Sequence, residues 1–286
     1  MSVQLAHNSY GKSAIRLFKV TRQGEQHEIR DLTVDVTLEG DFDRAHAAGD
    51  NSAVLPTDTM RNSVYALAAR DTLGCPEEFA GRLGAHFLGA AASAARVTVR
   101  IAEHRWHRIV SGDASHGHAF EHGSTEARTT RVMTARDEAV DVESGLEDLV
   151  LLKSGHSGFA GYPRDRYTTL PETDDRILAT SLSARWGCED FASDHDAVFA
   201  NVRRTMLETF AGHDSKSVQH TLYAMGEAVL QRCREVHDIA LSMPNRHHLP
   251  FDVSRLGEFH ANEIFVPTPE PYGLIEATLR RSARDR

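Results

Sequence analysis

Cysteine is scarce in this chain: Cys75, Cys188 and Cys233 are the only three, and no C-x-x-C spacing occurs. An odd, scattered set excludes a disulfide framework and predicts reduced thiols in an intracellular compartment. Long apolar runs are missing as well. The longest, Leu88 to Ala95, is Ala-rich and too short to span a bilayer, and the opening MSVQLAHNSYGK has no apolar core of a secretory signal, so no membrane association is expected. Positive charge is not in excess either. With 41 Asp and Glu against 32 Lys and Arg, a net charge of −9 argues against nucleic-acid phosphate as a partner. A small anion is still compatible, because one nearby arginine outweighs a distant, screened field. The chain also lacks G-x-S-x-G, a P-loop, a dinucleotide G-x-G-x-x-G after a strand, and H-E-x-x-H, so cofactor chemistry has no visible home. The ending RSARDR is not an S-K-L-type peroxisomal address, and the cytoplasm is the expected location.

What is present suits a globular protein of about two domains: 286 residues, 41% apolar, with 20 Gly and 9 Pro. Leu32, Val34, Val36 and Leu38 alternate with Thr33, Asp35, Thr37 and Glu39, the period of a half-buried strand, and Gln23-Gly24 predicts a turn joining it to a strand over Ala14 to Val20. After a polar loop around Gly49, the period changes to helical at Met60, Val64, Leu67 and Ala68, with Thr57 or Asp58 as cap. A second helix follows Pro76 on the stripe Phe79, Leu83 and Phe87, then a strand returns over Val97 to Ile101, extended by Trp106 to Val110, with Thr125 to Thr134 as the returning strand. The order then repeats. Strands over Leu146 to Leu152 and Ile177 to Trp186 precede one helix from Phe191 to Phe210 and another from Val218, capped by Ser217, to Val236. Asp238 to Met243, Leu249 to Val253, Glu263 to Val266 and Leu274 to Leu279 supply the closing strands. The expected class is α+β, as two ββααββ domains over 1–137 and 138–286, each an antiparallel sheet with helices on one face. Such sheets leave open edges and an uncovered face, which invites closure into a barrel with other copies.

Candidate site residues carry two readings each. Between Gly155 and Trp186, Phe159 lies among Gly158, Ala160 and Gly161, small residues that let a flat ligand approach, while Leu170 and Arg176 would present an apolar edge and a planar cation. The plainer reading is a surface loop in which Arg176 pairs with Asp174 or Asp175. Lys12 is a solvated lysine, or a general base where its surroundings favour the neutral amine. Thr57 is an N-cap or a proton-relay hydroxyl. Gln219 is solvated, or reads a heterocycle edge through its amide, and His247 is an idle loop histidine or a proton carrier. His104, His107, His116, His118 and His122 form a dense group, yet no carboxylate or cysteine joins them at a metal-ligand spacing, and no metal is expected.

Five stretches together carry a resemblance: YGK at 10–12, DNSAVLPTDTMRNSVY at 50–65, GFAGYPRDRYTTLPETDDRILAT at 158–180, SVQHTLY at 217–223 and LSMPNRHH at 241–248. In this order, from Tyr10 to Thr278, they resemble the urate oxidases. The resemblance implies the tunnelling fold, two such domains in tandem, with four subunits closing a barrel and active sites where subunits meet. It also implies oxidation of urate by dioxygen to 5-hydroxyisourate and hydrogen peroxide, with neither metal nor organic cofactor. Carried over by position, Lys12, Thr57 and His247 look like a proton relay, Phe159 like a stacking partner, and Arg176 and Gln219 like the grip on the purine. Asp58, Leu170 and the backbone at Val218 match further pocket positions, and Asn245 matches the residue holding the water or oxygen site. His248 departs from members that carry an aromatic residue there. Two other readings are a tunnelling-fold enzyme for another purine or a pterin, and a non-catalytic purine-binding homologue.

Overall fold

In β2 (Gln26–Gly40) the residues Leu32, Val34, Val36 and Leu38 are fully buried while Thr33, Asp35, Thr37 and Glu39 stay partly exposed, as strand alternation requires. The computed structural model that shows this describes residues 3–70, 72–188, 190–259, 262–268 and 270–282. β1 (Tyr10–Gln23) joins β2 through a tight hairpin in which Gln23 pairs with Gln26 and Gly24 takes φ 61°, a left-handed conformation open to glycine. α1 (Asp43–Ala48), α2 (Thr57–Arg70) and α3 (Pro76–Ala90) follow, then β3 (Ala94–Ser111) and β4 (Ala114–Ala135). These strands run in the order β1-β2-β3-β4, antiparallel throughout, with α2 on β1 and α3 on β3 and β4.

α3 buries Phe79, Leu83 and Phe87, the stripe expected from sequence. Its start is fixed by Pro76 in the first turn and by the Cys75 sulfur, which accepts from the Glu78 amide at 3.5 Å. Burial pushes the Cys75 thiol up to about 12, so this sulfur is a packed cap and not a nucleophile.

The second set of elements is β5 (Asp141–Lys153), β6 (Leu178–Cys188), α4 (His195–Gly212), α5 (Val218–Arg232), β7 (Val236–Pro244), β8 (His247–Pro250), β9 (Phe265–Thr268) and β10 (Leu274–Arg280). The strand order is β5-β6-β7-β10, with α5 on β7 and β10, and Trp186 of β6 lies 6.0 Å from Phe199 of α4. β8 and β9, which fall between β7 and β10 in the chain and are separated by a stretch with a 3-10 turn at Val253–Leu256, form a small antiparallel sheet of their own. Among the described residues no helix is long and apolar enough to cross a membrane.

Four elements differ from expectation, the simplest being α4, which begins at His195 and not at Phe191. α1 lies where a polar loop was expected, because a six-residue helix with no buried residue has no apolar period; buried Phe42 precedes it and left-handed Gly49 follows it. α5 stops at Arg232, and Val236, which continues the helical period, instead opens β7 with its side chain fully buried. The strand expected over Leu249 to Val253 is shifted to His247–Pro250, since Val253 enters the 3-10 turn.

By contacts, residues up to Gly145 together with Asp190–Asp196 make one compact unit, and the stretches Leu146–Glu189 and Ala197 onward make the other. The 190–196 segment is tied into the first unit by charge and shape. Arg128, its side chain 8% exposed, donates to Glu77 Oε2 at 2.8 Å and to the His195 carbonyl at 3.2 Å, and pairs with Asp196. The second oxygen of fully buried Glu77 accepts from Ser144 Oγ at 2.6 Å, so this buried carboxylate has a donor on each oxygen. A side chain at Gly81 would strike the Phe191 ring 2.5 Å away, so only glycine lets that ring seat.

Candidate active site

In the first unit, Lys12 lies on β1 immediately before a bulge. The β1–β2 register shifts between Lys12 and Ile15, Ala14 sits at φ 56°, and its amide donates to Asp35 Oδ1 at 2.7 Å. A bulge turns the residues beside it out of the regular alternation, and here those residues include a half-exposed lysine. Gly11 lets the strand pass close to β2, since a side chain there would meet the Val36 carbonyl oxygen at 1.9 Å. Thr57 is the first residue of α2, half-exposed, with the Met60 amide bonded to Pro56. The Tyr10 hydroxyl accepts from the Leu55 amide at 2.9 Å, tying the lead-in to α2 to the start of β1, and burial raises the pKa of that phenol. Tyr10 was not singled out from sequence; its place two residues before Lys12 is the signal that was available. Asp58 is exposed and engaged on its own helix by Arg61 at 2.7 Å and Asn62 at 3.1 Å.

In the second unit, β5 and β6 are joined by the long excursion 154–177, pinned to the connection between α4 and α5. Ser157 and Ser215 form a bridge, the Gly158 amide donates to the Ser215 carbonyl at 2.8 Å, and the Ser215 amide donates to the His156 carbonyl at 2.9 Å. From there the excursion folds on itself: Phe159 and Thr173 exchange backbone bonds at 2.7 and 3.1 Å, and the Arg176 amide donates to the Ser157 carbonyl at 2.8 Å. Phe159 and Arg176 are thereby brought together, the guanidinium carbon 5.3 Å from the ring centroid. Tyr162 stacks on Phe159 at 4.8 Å and 16°, and its hydroxyl donates to the carbonyl of exposed Leu170.

Arg176 does not make the expected pairing with Asp174 or Asp175. Among the described residues no carboxylate acts on it; burial alone pushes its guanidinium below the ordinary range, and its buried Nε finds no partner. An uncompensated, partly desolvated cation is costly unless something anionic completes it.

Ser215 also reaches the start of α5. Its hydroxyl donates to the Ser217 carbonyl at 2.9 Å and accepts from Thr221 Oγ1 at 2.7 Å, while Ser217 caps the helix by accepting from the His220 amide at 3.1 Å. Val218 and Gln219 are the first two residues of α5, Val218 buried and Gln219 exposed, where backbone N–H groups have no acceptor within the helix. One serine thus links the Phe159–Arg176 loop to the Val218–Gln219 helix start. No sequence pattern marks Ser215.

Asn245 and His247 also meet, with Asn245 Nδ2 and His247 Nδ1 3.4 Å apart. Asn245 is held by its amide to the Gly273 carbonyl at 2.8 Å and by a bridge to Thr180. A cavity of about 390 Å³ opens beside this pair, lined by Val150, Leu152, Ala179, His247 and His248.

The histidine group on β3 and β4 is spread along the strands. His104 Nε2 lies 2.9 Å from Thr33 Oγ1, His116 and His118 meet edge to face at 4.5 Å, and His122 lies 5.2 Å from Trp106. Among the described residues no three His, Cys, Asp or Glu side chains converge as a metal would need.

With this geometry in hand, comparison with known proteins is specific. The sequence model of the family described as Uricase matches residues 8–133 and 142–276, two successive blocks. The uricase of Arthrobacter globiformis is 45% identical over 98% of this chain and 90% of its own, and that of Aspergillus flavus 35% identical over 96% of each. The crystal structure of the Arthrobacter enzyme superposes with a TM-score of 0.93 at 44% identity, covering 99% of this chain and 96% of the other. A urate oxidase from Bacillus sp. TB-90, only 21% identical, shares the fold at a TM-score of 0.83. Tandem repeats, an α+β architecture with antiparallel sheets, and agreement over nearly the whole length give one conclusion: this chain belongs to the uricase family.

Proposed function

We propose that this protein is a urate oxidase, converting urate, dioxygen and water to 5-hydroxyisourate and hydrogen peroxide. The observation that carries the reading is Arg176, a partly desolvated guanidinium with no carboxylate partner among the described residues, lying beside Phe159 and linked through Ser215 to the start of α5. That arrangement suits a flat anion: Phe159 stacks on it, and Arg176 and the Gln219 amide grip it. The first-turn amide at Val218 adds a donor, and Leu170 and Asp58 complete the pocket wall. Lys12, Thr57 and His247 form the proton relay, and Asn245, beside His247, holds the water or oxygen position.

The chemistry follows from the substrate. Once the relay has removed its protons, urate is electron-rich enough to pass two electrons to dioxygen; water adds a hydroxyl to the oxidised ring and hydrogen peroxide leaves. The protein then has to remove protons and position reactants, and it needs neither metal nor organic cofactor. Active sites form where subunits of a homotetramer meet, the chain divides into tandem domains near residue 138, and the enzyme works in the cytoplasm.

The test is the decay of urate absorbance with matched oxygen uptake, measured before and after thorough chelation. Equal rates are expected. Activity lost on chelation and restored by copper or iron would overturn the cofactor-free reading. Mass measurement in solution should give four chains; a fully active monomer contradicts the shared site.

A further inference from the structure

The connection between α4 and α5, which carries Ser215, is closed by two histidine side chains that the reaction does not use. His213 follows the end of α4, its amide bonded to the Thr209 carbonyl at 3.0 Å, and His220 lies in the first turn of α5. Their rings meet edge to face at 4.3 Å, with His213 Nε2 3.2 Å from His220 Nδ1. The tautomers follow from a third group. The Lys216 amide, which can only donate, also points at His220 Nδ1 at 3.4 Å. That nitrogen therefore accepts from two directions and carries no proton, and His213 Nε2 supplies the second N–H. A proton placed on His220 Nδ1 would set it against the Lys216 amide, which can only donate, and loosen the turn.

We propose that His213 and His220 form a pH-sensitive clasp that positions the substrate-gripping loop against the start of α5, so that acid weakens urate binding before it slows turnover. The mechanical link is short. Inside the clasp lies Ser215, which bonds both the loop at His156 and Gly158 and the helix start at Ser217. Lys153, the last residue of β5, reinforces the same place by donating from Nζ to the His213 carbonyl and, at 3.5 Å, to that of Phe210.

The charges facing the clasp come from three directions: Lys153 from β5, His156 from the loop, and Asp214 and Lys216, paired with each other, from the connection itself. Burial, then the neighbouring His220 and Lys153, lower the pKa of His213, with Asp214 opposing. The sign is that of a depressed group: what neutral His213 contributes is fully present above the ordinary imidazole range and is lost as pH falls through its lowered value.

The inference rests on Phe159, Arg176 and Gln219 being the urate grip, and the experiment separates the two claims. Michaelis constants and turnover for urate are measured on the full-length protein from about pH 8 down to about pH 5, through the ordinary imidazole value of about 6.5 and below it, where the lowered His213 changes charge. The urate KM of the unaltered protein should rise toward acid by about two- to tenfold, the scale of one net hydrogen bond, with turnover changing less. His220→Asn keeps an acceptor oxygen near the Nδ1 position that does not titrate, so its acid rise should be flattened. His220→Leu removes the acceptor, so its KM should be high at every pH. Urate's own ionisation is common to all three proteins and cancels in the ratios. Should His220→Leu fail to fold, His220→Asn alone decides, since an unaltered acid rise in that variant overturns the clasp. A normal KM in His220→Leu beside a raised KM in Gln219→Leu also overturns it, whereas a normal KM in Gln219→Leu removes the grip reading itself.

Discussion

The first strands of the two units share an irregularity and then part company. β1 has Ala14 and β5 has Asp148, each at φ 56°, the first near the start of its strand and the second past its middle, so both strands leave regular geometry at one residue. Beyond that point β1 returns through a tight hairpin at Gly24, while β5 runs into the pinned excursion 154–177. Just before the irregularity stands Lys12 in one strand and Leu146 in the other. The helix starts differ in the same sense, with Thr57 opening α2 and Val218 and Gln219 opening α5. A duplicated frame has therefore been filled unequally: of the proposed site residues, Lys12 and Thr57 of the relay stand on the first copy, where the backbone is short and tight, while Phe159, Arg176 and Gln219 of the grip stand, with His247, on the second, where a long loop was available.

The most severe way to break this contrast is to remove the amine. Lys12→Met keeps length and apolar bulk, and turnover should fall by at least the ~10²-fold typical of lost acid–base catalysis, with urate affinity nearly unchanged. Adding Thr57→Ala should worsen it little, because members of one relay fail together. Normal turnover in Lys12→Met would move the base to the second unit, with His247 the first to examine.

A smaller effect, on the other observable, is expected from Arg176→Lys. The charge stays but the planar pair of donors goes, at a scale of about 1.5–3 kcal/mol, on the order of ten- to a hundredfold in affinity. An unchanged Michaelis constant there would leave the second unit without its defining group.

The smallest effect sharpens the shared irregularity. Asp35→Ala removes the acceptor of the Ala14 amide at an exposed bond, so stability should fall by only about 0.5–1 kcal/mol, read as a melting temperature lower by a few degrees. Turnover should drop more than that loss implies, because Lys12 adjoins the bulge. A full-rate variant with the lower melting point would make the bulge structural only.

Sequence reading reached the parts of this molecule that repeat. β2 and α3 were legible because each buries one face at one period, Val34 and Val36 in one and Phe79 and Leu83 in the other. Periodicity misled at Val236, where burial continues but the element changes, and it was blind to α1, which buries nothing. At the site, Phe159 and Arg176 were legible as a pair because small residues around Phe159 and an arginine at the junction with the next strand share one stretch. The contacts that make them a site join residues far apart in the chain, as Ser157 to Ser215 and Asn245 to Gly273 do, through backbone groups that every residue carries. Such bonds leave no compositional trace. That Arg176 is not paired with Asp174 or Asp175 is likewise visible only in the geometry.

The 190–196 segment is translated after the rest of the unit it belongs to. Arg128 has Glu77 to hand as soon as the first unit has been made, but Asp196 and the His195 carbonyl are translated only after β6. At roughly 5–20 residues per second, the ribosome takes several seconds to go from Gly145 to Asp196. During that interval the Arg128 guanidinium is short of two of its acceptors, and the groove at Gly81 is without its Phe191 ring. The N-terminal half of this enzyme is therefore finished by a piece of the C-terminal half, and a newborn chain passes through a stage in which its earlier domain is assembled but not yet closed.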